Sequence, residues 1–109
     1  QIAFSCEDIF AAAEHVGATH LLPIPENYYR DLDARFALDA GLLDQMKANH
    51  VLYDRNDDGE FFHFYTQTVH GVFFEVVQRI DDYNRYGEAN AFIRLASQAV
   101  SSQELVTNK

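Results

Sequence analysis

Cysteine is almost missing from these 109 residues, with Cys6 standing alone. No internal disulfide can form, and the composition suits a reducing, cytoplasmic setting. Basic residues are scarce: eight Lys and Arg face 17 Asp and Glu, a formal charge of −9. Phosphate backbones are bound by clustered Lys and Arg, and none cluster here, so nucleic acid is not an expected partner. No apolar run approaches the roughly 18 residues of a membrane span, and no charged-then-apolar signal opens the chain, so no membrane partner is expected. Tryptophan is absent, and proline (two) and glycine (five) are sparse, with no low-complexity run or internal repeat. What remains is a chain 48% hydrophobic and 14% aromatic, with nine Phe, long enough for one domain around a Phe-lined core. It opens on Gln1-Ile2-Ala3-Phe4 without a starting methionine, which points to a piece of a longer protein.

Hydrophobic periodicity orders the elements. Residues 2–5 read as a short strand. Ser5-Cys6-Glu7-Asp8 approximates a capping box, with Ser5 as N-cap of a helix burying Ile9, Phe10, Ala13 and Val16 and stopping at Gly17. Residues 19–24 are extended but interrupted by Pro23, hence an edge. Helices follow over 26–36, with Tyr29, Leu32 and Phe36 on one face, and from an Asp39 cap to Asn49, burying Leu42, Leu43 and Met46. Val51-Leu52-Tyr53 and residues 61–68 form a hairpin around Asp58-Gly59, a pair that tolerates positive φ. A turn at His70-Gly71 leads to a strand over 72–80. Asp81-Asp82 and Gly87 mark a loop. The last helix covers 88–105, with Phe92, Leu95, Ala96 and Ala99 inward and a frayed polar tail.

Two stretches carry possible chemistry. Asp54, Asn56, Asp58 and Gly59 occupy positions 1, 3, 5 and 6 of a calcium loop, but position 12 is Tyr65 and the flanks are strands. A hairpin turn accounts for them. Gly71-Val72-Phe73-Phe74-Glu75-Val76-Val77-Gln78-Arg79 is the more informative stretch. Alternation places Phe73, Glu75 and Val77 on one face, so Glu75 is a carboxylate in a strand that expects burial. It needs a cation, a proton or a metal. Arg79, facing the same way, is the simple partner; a metal ion is the alternative.

The strand–helix–strand order and the Phe-Phe-Glu…Gln-Arg element carry a family resemblance. Gln1-Ile2-Ala3-Phe4, Leu22-Pro23 with Tyr28-Tyr29, Leu52-Tyr53-Asp54, Phe73 to Arg79, and Tyr86-Gly87-Glu88 with Asn90 resemble the C-terminal half-domain of 4-hydroxyphenylpyruvate dioxygenase. That family belongs to the vicinal-oxygen-chelate superfamily. Glu88-Ala89-Asn90-Ala91 and Arg94-Leu95-Ala96 look similar to dioxygenase-like domains fused behind a TIM-barrel 3-dehydroshikimate dehydratase. The resemblance implies an α+β βαβββ module with a helical insertion and a C-terminal helix, spanning residues 1–109.

In that family two His and one carboxylate hold Fe(II) for oxidative decarboxylation of a 2-oxo acid. The resemblance places the carboxylate on Glu75 and one His where this chain has Gln1, a weaker amide donor. It puts the second His in a preceding module. His63 falls where the family has a polar pocket residue: a replacement ligand, or a buried His hydrogen-bonded to Tyr65 or a carbonyl. Tyr65, Gln67, Gln78, Asn90 and Phe92 become candidate substrate-pocket residues, with Ala91 where the family places a Phe. His15, His20, His50 and His70 read as surface residues. Cys6, beside a helix N-terminus, reads as a small residue whose pKa that terminus could lower.

Two functions follow. One is a degenerate module with a structural or regulatory role beside a dehydratase; the other is a fragment of an iron dioxygenase. The cofactor expected is Fe(II) or another divalent metal if the site is intact, and otherwise none. A lone module would leave its Phe-rich inner face open, so a preceding module or a second copy is the expected partner.

Overall fold

Four strands set the frame in a computed structural model of the protein, which describes the backbone of residues 1–107 and the side chains of residues 1–101. The strands are β1 (Ile2–Ser5), β2 (Leu52–Arg55), β3 (Gly59–Tyr65) and β4 (Phe74–Asp81), in the spatial order β1-β4-β3-β2. β1 runs parallel to β4, pairing Ala3 with Glu75, while β2, β3 and β4 are antiparallel neighbours. The helices are α1 (Ile9–Val16), α2 (Glu26–Phe36), α3 (Ala40–Asn49) and α4 (Ala91–Thr107). This is the α+β, βαβββ arrangement with α2 and α3 inserted. The expectation of a frayed tail falls partly on residues 108–109, outside the described residues.

The parallel β1–β4 pair needs a crossover, and α1 begins it. Asp8, not Ser5, caps α1, its carboxylate accepting from the Ala11 amide. Ser5 is held in β1, so the cap passes to the next acceptor that can reach the first helical turn. Gln78 fixes the same end from the sheet: its side-chain oxygen accepts from the Ile9 amide and its Nε2 donates to the Glu7 carbonyl. Cys6 lies ahead of the cap, and partial burial pushes its thiol up rather than down.

α2 and α3 form over the spans their periodicity demands. Asp39 caps α3 through the Leu42 amide, and Met46 is fully buried. Ala37 and His50 end the two helices in the left-handed region. His50 is therefore half-buried rather than superficial: its Nδ1 accepts from the Ile24 amide, and desolvation lowers its pKa. The 19–24 segment makes a short 3-10 turn, then bridges Leu21 to Thr66 along the edge of β3 that β2 leaves free.

The β2–β3 hairpin closes through four residues between the Arg55–Glu60 pair. Its turn is built by Asn56, whose Oδ1 accepts from the amides of Asp58 and Gly59. Neither Asp58 nor Gly59 has positive φ. Gly59 is required for another reason, since a Cβ there would overlap the Ile80 carbonyl oxygen of the neighbouring strand. Asp54 is buried and accepts from the Tyr83 hydroxyl, so the residues of the apparent calcium loop serve the turn and the core. The turn within the β3–β4 connection is tighter. His70 and Gly71 both take positive φ between the mutually bonded Val69 and Val72.

α4 departs most from expectation. Phe92 is 85% exposed, Leu95 57% and Val100 55%, with Ala96 and Ala99 also outward. Ile93 and Ser97 turn inward, because buried Asn90 sets the rotation of the helix that follows it. Nor is the Phe-rich inner face open. Phe61 is buried beneath a stacked Tyr83, and Arg94 lies over the rings of Tyr65 and Phe73.

Candidate functional site

The parity of β3 and β4 assembles the site. Phe61, His63 and Tyr65 on β3 pair with Arg79, Val77 and Glu75 on β4, so all six share one face. Ala3 on β1 pairs with Glu75, which brings Gln1, two residues earlier, to the same face. Asn90 arrives from the turn ahead of α4, after Gly87. That glycine has a φ of +67°, and a Cβ there would sit 2.6 Å from the Phe61 ring. No other residue can bring Asn90 so close to β3 without moving that ring.

Glu75 is 6% exposed, and both its oxygens have partners. Gln1 Nε2 donates to Oε1 at 2.8 Å, and His63 Nδ1 lies 3.0 Å from Oε2. Arg79, the expected partner, instead donates to the Arg85 carbonyl and stacks over Phe61. The Glu75 carboxylate is balanced by an amide and an imidazole instead of a guanidinium.

His63 is wholly buried, and its second nitrogen is also engaged: Asn90 Nδ2 approaches Nε2 at 2.9 Å. The Asn90 amide orientation follows from its other bonds. Its Oδ1 accepts from the Tyr28 hydroxyl at 3.0 Å, and its Nδ2 donates to the Tyr53 carbonyl at 3.0 Å. Tyr28 in turn accepts from the Tyr53 amide. Asn90 therefore presents N–H to the imidazole, which must accept at Nε2 and carry its proton on Nδ1, donating to Glu75. Burial lowers the His63 pKa, against the opposing pull of Glu75, and keeps the ring neutral. Beside it, desolvation and the Glu75 charge push the Tyr65 phenol up.

Gln1, His63, Tyr65, Glu75 and Asn90 thus meet on one face. Three candidates lie elsewhere. Gln78 is on the opposite face of β4, as the odd spacing from Glu75 requires, and anchors α1. Gln67 ties the 19–21 segment to the end of β3 through the Thr19 and Leu21 carbonyls. Phe92 points to solvent. Sequence reasoning missed the role of Tyr28, whose hydroxyl completes the network from α2. Its only signal was a second adjacent Tyr off the main apolar stripe.

The donor set closes on itself as a hydrogen-bonded cluster. A facial triad needs two imidazoles and a carboxylate with free lone pairs. Among the described residues no three His, Cys, Asp or Glu gather to hold a metal. The one nearby imidazole has both nitrogens engaged, and Gln1 presents its amide nitrogen to Glu75.

No protein-family model matches the chain. It is 46% identical over 102 residues to 3-dehydroshikimate dehydratase of Pseudomonas putida, a match covering 90% of this chain and 16% of that protein. It is 32% identical over 94 residues to 4-hydroxyphenylpyruvate dioxygenase of Pseudomonas aeruginosa, covering 82% of this chain and 26% of that protein. A solved xylose isomerase-like TIM barrel/4-hydroxyphenylpyruvate dioxygenase fusion protein superposes with a TM-score of 0.85 at 44% identity, over 91% of this chain and 16% of its own. A triple mutant of 4-hydroxymandelate synthase from Streptomyces coelicolor gives 0.71 at 25% identity, covering 94% of this chain and 29% of its own. The chain thus spans about a sixth of the dehydratase and a quarter of the dioxygenase.

Proposed function

We propose, from the premise that this chain is a vicinal-oxygen-chelate module homologous to the 4-hydroxyphenylpyruvate dioxygenase-like part of 3-dehydroshikimate dehydratase fusions, that it is a degenerate dioxygenase domain with a structural or regulatory role beside a dehydratase barrel. The observation that carries this reading is the occupation of Glu75. In the parent family the equivalent carboxylate, by the resemblance, holds Fe(II), which supplies a binding site for a 2-oxo acid and oxygen. Here both carboxylate oxygens accept hydrogen bonds from the chain's own Gln1 and His63. Opening the cluster to a cation would strip partners from buried Asn90 and His63, a cost of about 1–3 kcal/mol for each group left unpaired.

The pairing of this module rests on its sheet edge. β1 bonds to β4 on one side only, and its Ile2 and Phe4 are 48% and 53% exposed, with the Phe4 ring beside that of Phe74. An unpaired apolar edge strand is a template for another sheet, and a preceding module of a longer chain is the occupant that fits the relatives' length.

Metal analysis of the purified protein, followed by oxygen uptake with 4-hydroxyphenylpyruvate, tests the reading. Substoichiometric iron and no substrate-dependent uptake are expected. An active dioxygenase is the second reading, and the placement of an imidazole, His63, beside Glu75 is what favours it. Stoichiometric iron with substrate-dependent uptake would establish that reading and sink the first. Deleting this domain from a dehydratase fusion should alter assembly or dehydration kinetics; unchanged behaviour would remove the structural role.

A further inference from the structure

Between α2 and the start of α4 lies a cleft that neither the Glu75 cluster nor the β1 edge uses. It holds about 280 Å³ and is walled by Asn27, Asp31, Leu32 and Arg35 of α2 on one side and by Phe92 and Ile93 of α4 on the other. Tyr28 and Asn90 form its floor, and both are committed to the buried network. The floor is therefore fixed, and recognition falls to the walls.

The α2 wall carries opposite charges one turn apart. Asp31 and Arg35 are four residues apart and so neighbour each other on one helix face, with Asn27 a further turn back. Among the described residues they make no ion pair with each other, and His63 with Glu75 is the acid–base contact that forms. The Arg35 guanidinium lies instead over the Phe36 ring, 4.6 Å from its centre. Arg55 reaches the same ring at 4.9 Å, so two guanidinium groups gather at the Arg35 end. The opposite wall is apolar and presents the exposed Phe92 ring.

These walls select by charge. A simple anion meets Asp31 and the repulsion of a protein carrying −9, while a simple cation meets Arg35. Either one leaves a charged group of the wall without a partner, whereas a zwitterion satisfies both. The volume lies just under the roughly 300–1,000 Å³ of pockets for drug-sized ligands, which limits the occupant to about the size of one amino acid. Phe92 favours an aromatic side chain, since two rings gain from an offset or edge contact.

We infer that this cleft binds a free aromatic α-amino acid, its carboxylate held by Arg35, its ammonium by Asp31 and its ring laid against Phe92. The site stands whether or not Glu75 holds a metal. A cleft so small and open to solvent implies an affinity in roughly the millimolar range.

Titration of the isotopically labelled protein with L-phenylalanine, followed through its amide NMR signals, tests the site. Saturable shifts are expected at residues 27–35 and 89–93. Two analogues should each bind at least roughly tenfold more weakly: 3-phenylpropanoate, which lacks the ammonium, and 2-phenylethylamine, which lacks the carboxylate. Asp31, Arg35 and Phe92 are exposed, so replacing them should leave the fold intact by circular dichroism. Arg35→Gln and Asp31→Asn should each weaken L-phenylalanine binding roughly tenfold, and Phe92→Ala should weaken it as well. Absence of saturable shifts, or shifts centred elsewhere, would overturn the proposal. So would equal affinity for the three compounds, or an Arg35→Gln variant that binds as the native protein does.

Discussion

At the scale of single residues, Asn90 joins the described network together. Its amide links β3 through His63, β2 through Tyr53 and α2 through Tyr28. Replacing it by Ala would leave an imidazole nitrogen, a carbonyl and a hydroxyl unpaired in a buried place. Asn90→Ala is expected to lower unfolding free energy by about 3 kcal/mol, read from the urea midpoint, whereas Phe92→Ala on the exposed side should change it by under about 0.5 kcal/mol. The same network fixes a pH dependence. His63 and His50 both have folded-state pKa values below the ordinary 6.5, chiefly through desolvation. The unfolded chain binds those protons more readily. Stability is therefore complete above about pH 6.5 and falls as pH drops from there toward the folded values, by up to about 1.4 kcal/mol per pH unit for each histidine. Urea titrations between about pH 7.5 and pH 5, above most carboxylate titration, check this. A flat profile would mean the rings stay as protonatable in the folded protein as in the unfolded one.

At the scale of elements, two glycines hold strands and loops at distances no side chain permits. Gly59 lets the turn of the β2–β3 hairpin reach the Ile80 carbonyl, and Gly87 lets the loop after β4 lie on Phe61 and His63. Gly59→Ala and Gly87→Ala should each cost about 2–4 kcal/mol, the second also through its positive φ. Gly71→Ala, with nothing near its Cβ, should cost only its strained φ, about 1 kcal/mol. Thermal melts of the three variants give the order. If Gly87→Ala melts like Gly71→Ala, the close packing of that loop on β3 is wrong. The Gly59 case also shows what spacing conceals: Asp-Gly marked the hairpin, but Asn56 builds the turn and Gly59 serves the neighbouring strand.

At the scale of the whole molecule, charge sets the behaviour. A formal charge of −9 on one small domain is self-repelling. Raising ionic strength from very low values to about 0.15 M should raise the melting temperature, since salt screens repulsion between like charges. Differential scanning calorimetry across a salt series checks it. A falling midpoint would show that attractive surface pairs outweigh the net repulsion. Apolar surface tells the complementary story: the β1 edge and the α4 stripe remain exposed while the inner sheet face is filled.

The chain of amino acids by itself determined the order of elements, the alternation that gives Glu75 and His63 each a face of its own strand, the Asp39 cap and the turn at His70-Gly71. Each of these depends on neighbours within a few residues, where alternation, capping and left-handed preferences act locally. The tertiary structure alone decided who satisfies Glu75, because Gln1 lies 74 positions away and Arg79 is claimed by a carbonyl and a ring. It also decided which side of α4 faces in. Apolar periodicity identifies a stripe but not its direction, and the rotation was fixed by one buried amide anchored on three separate elements.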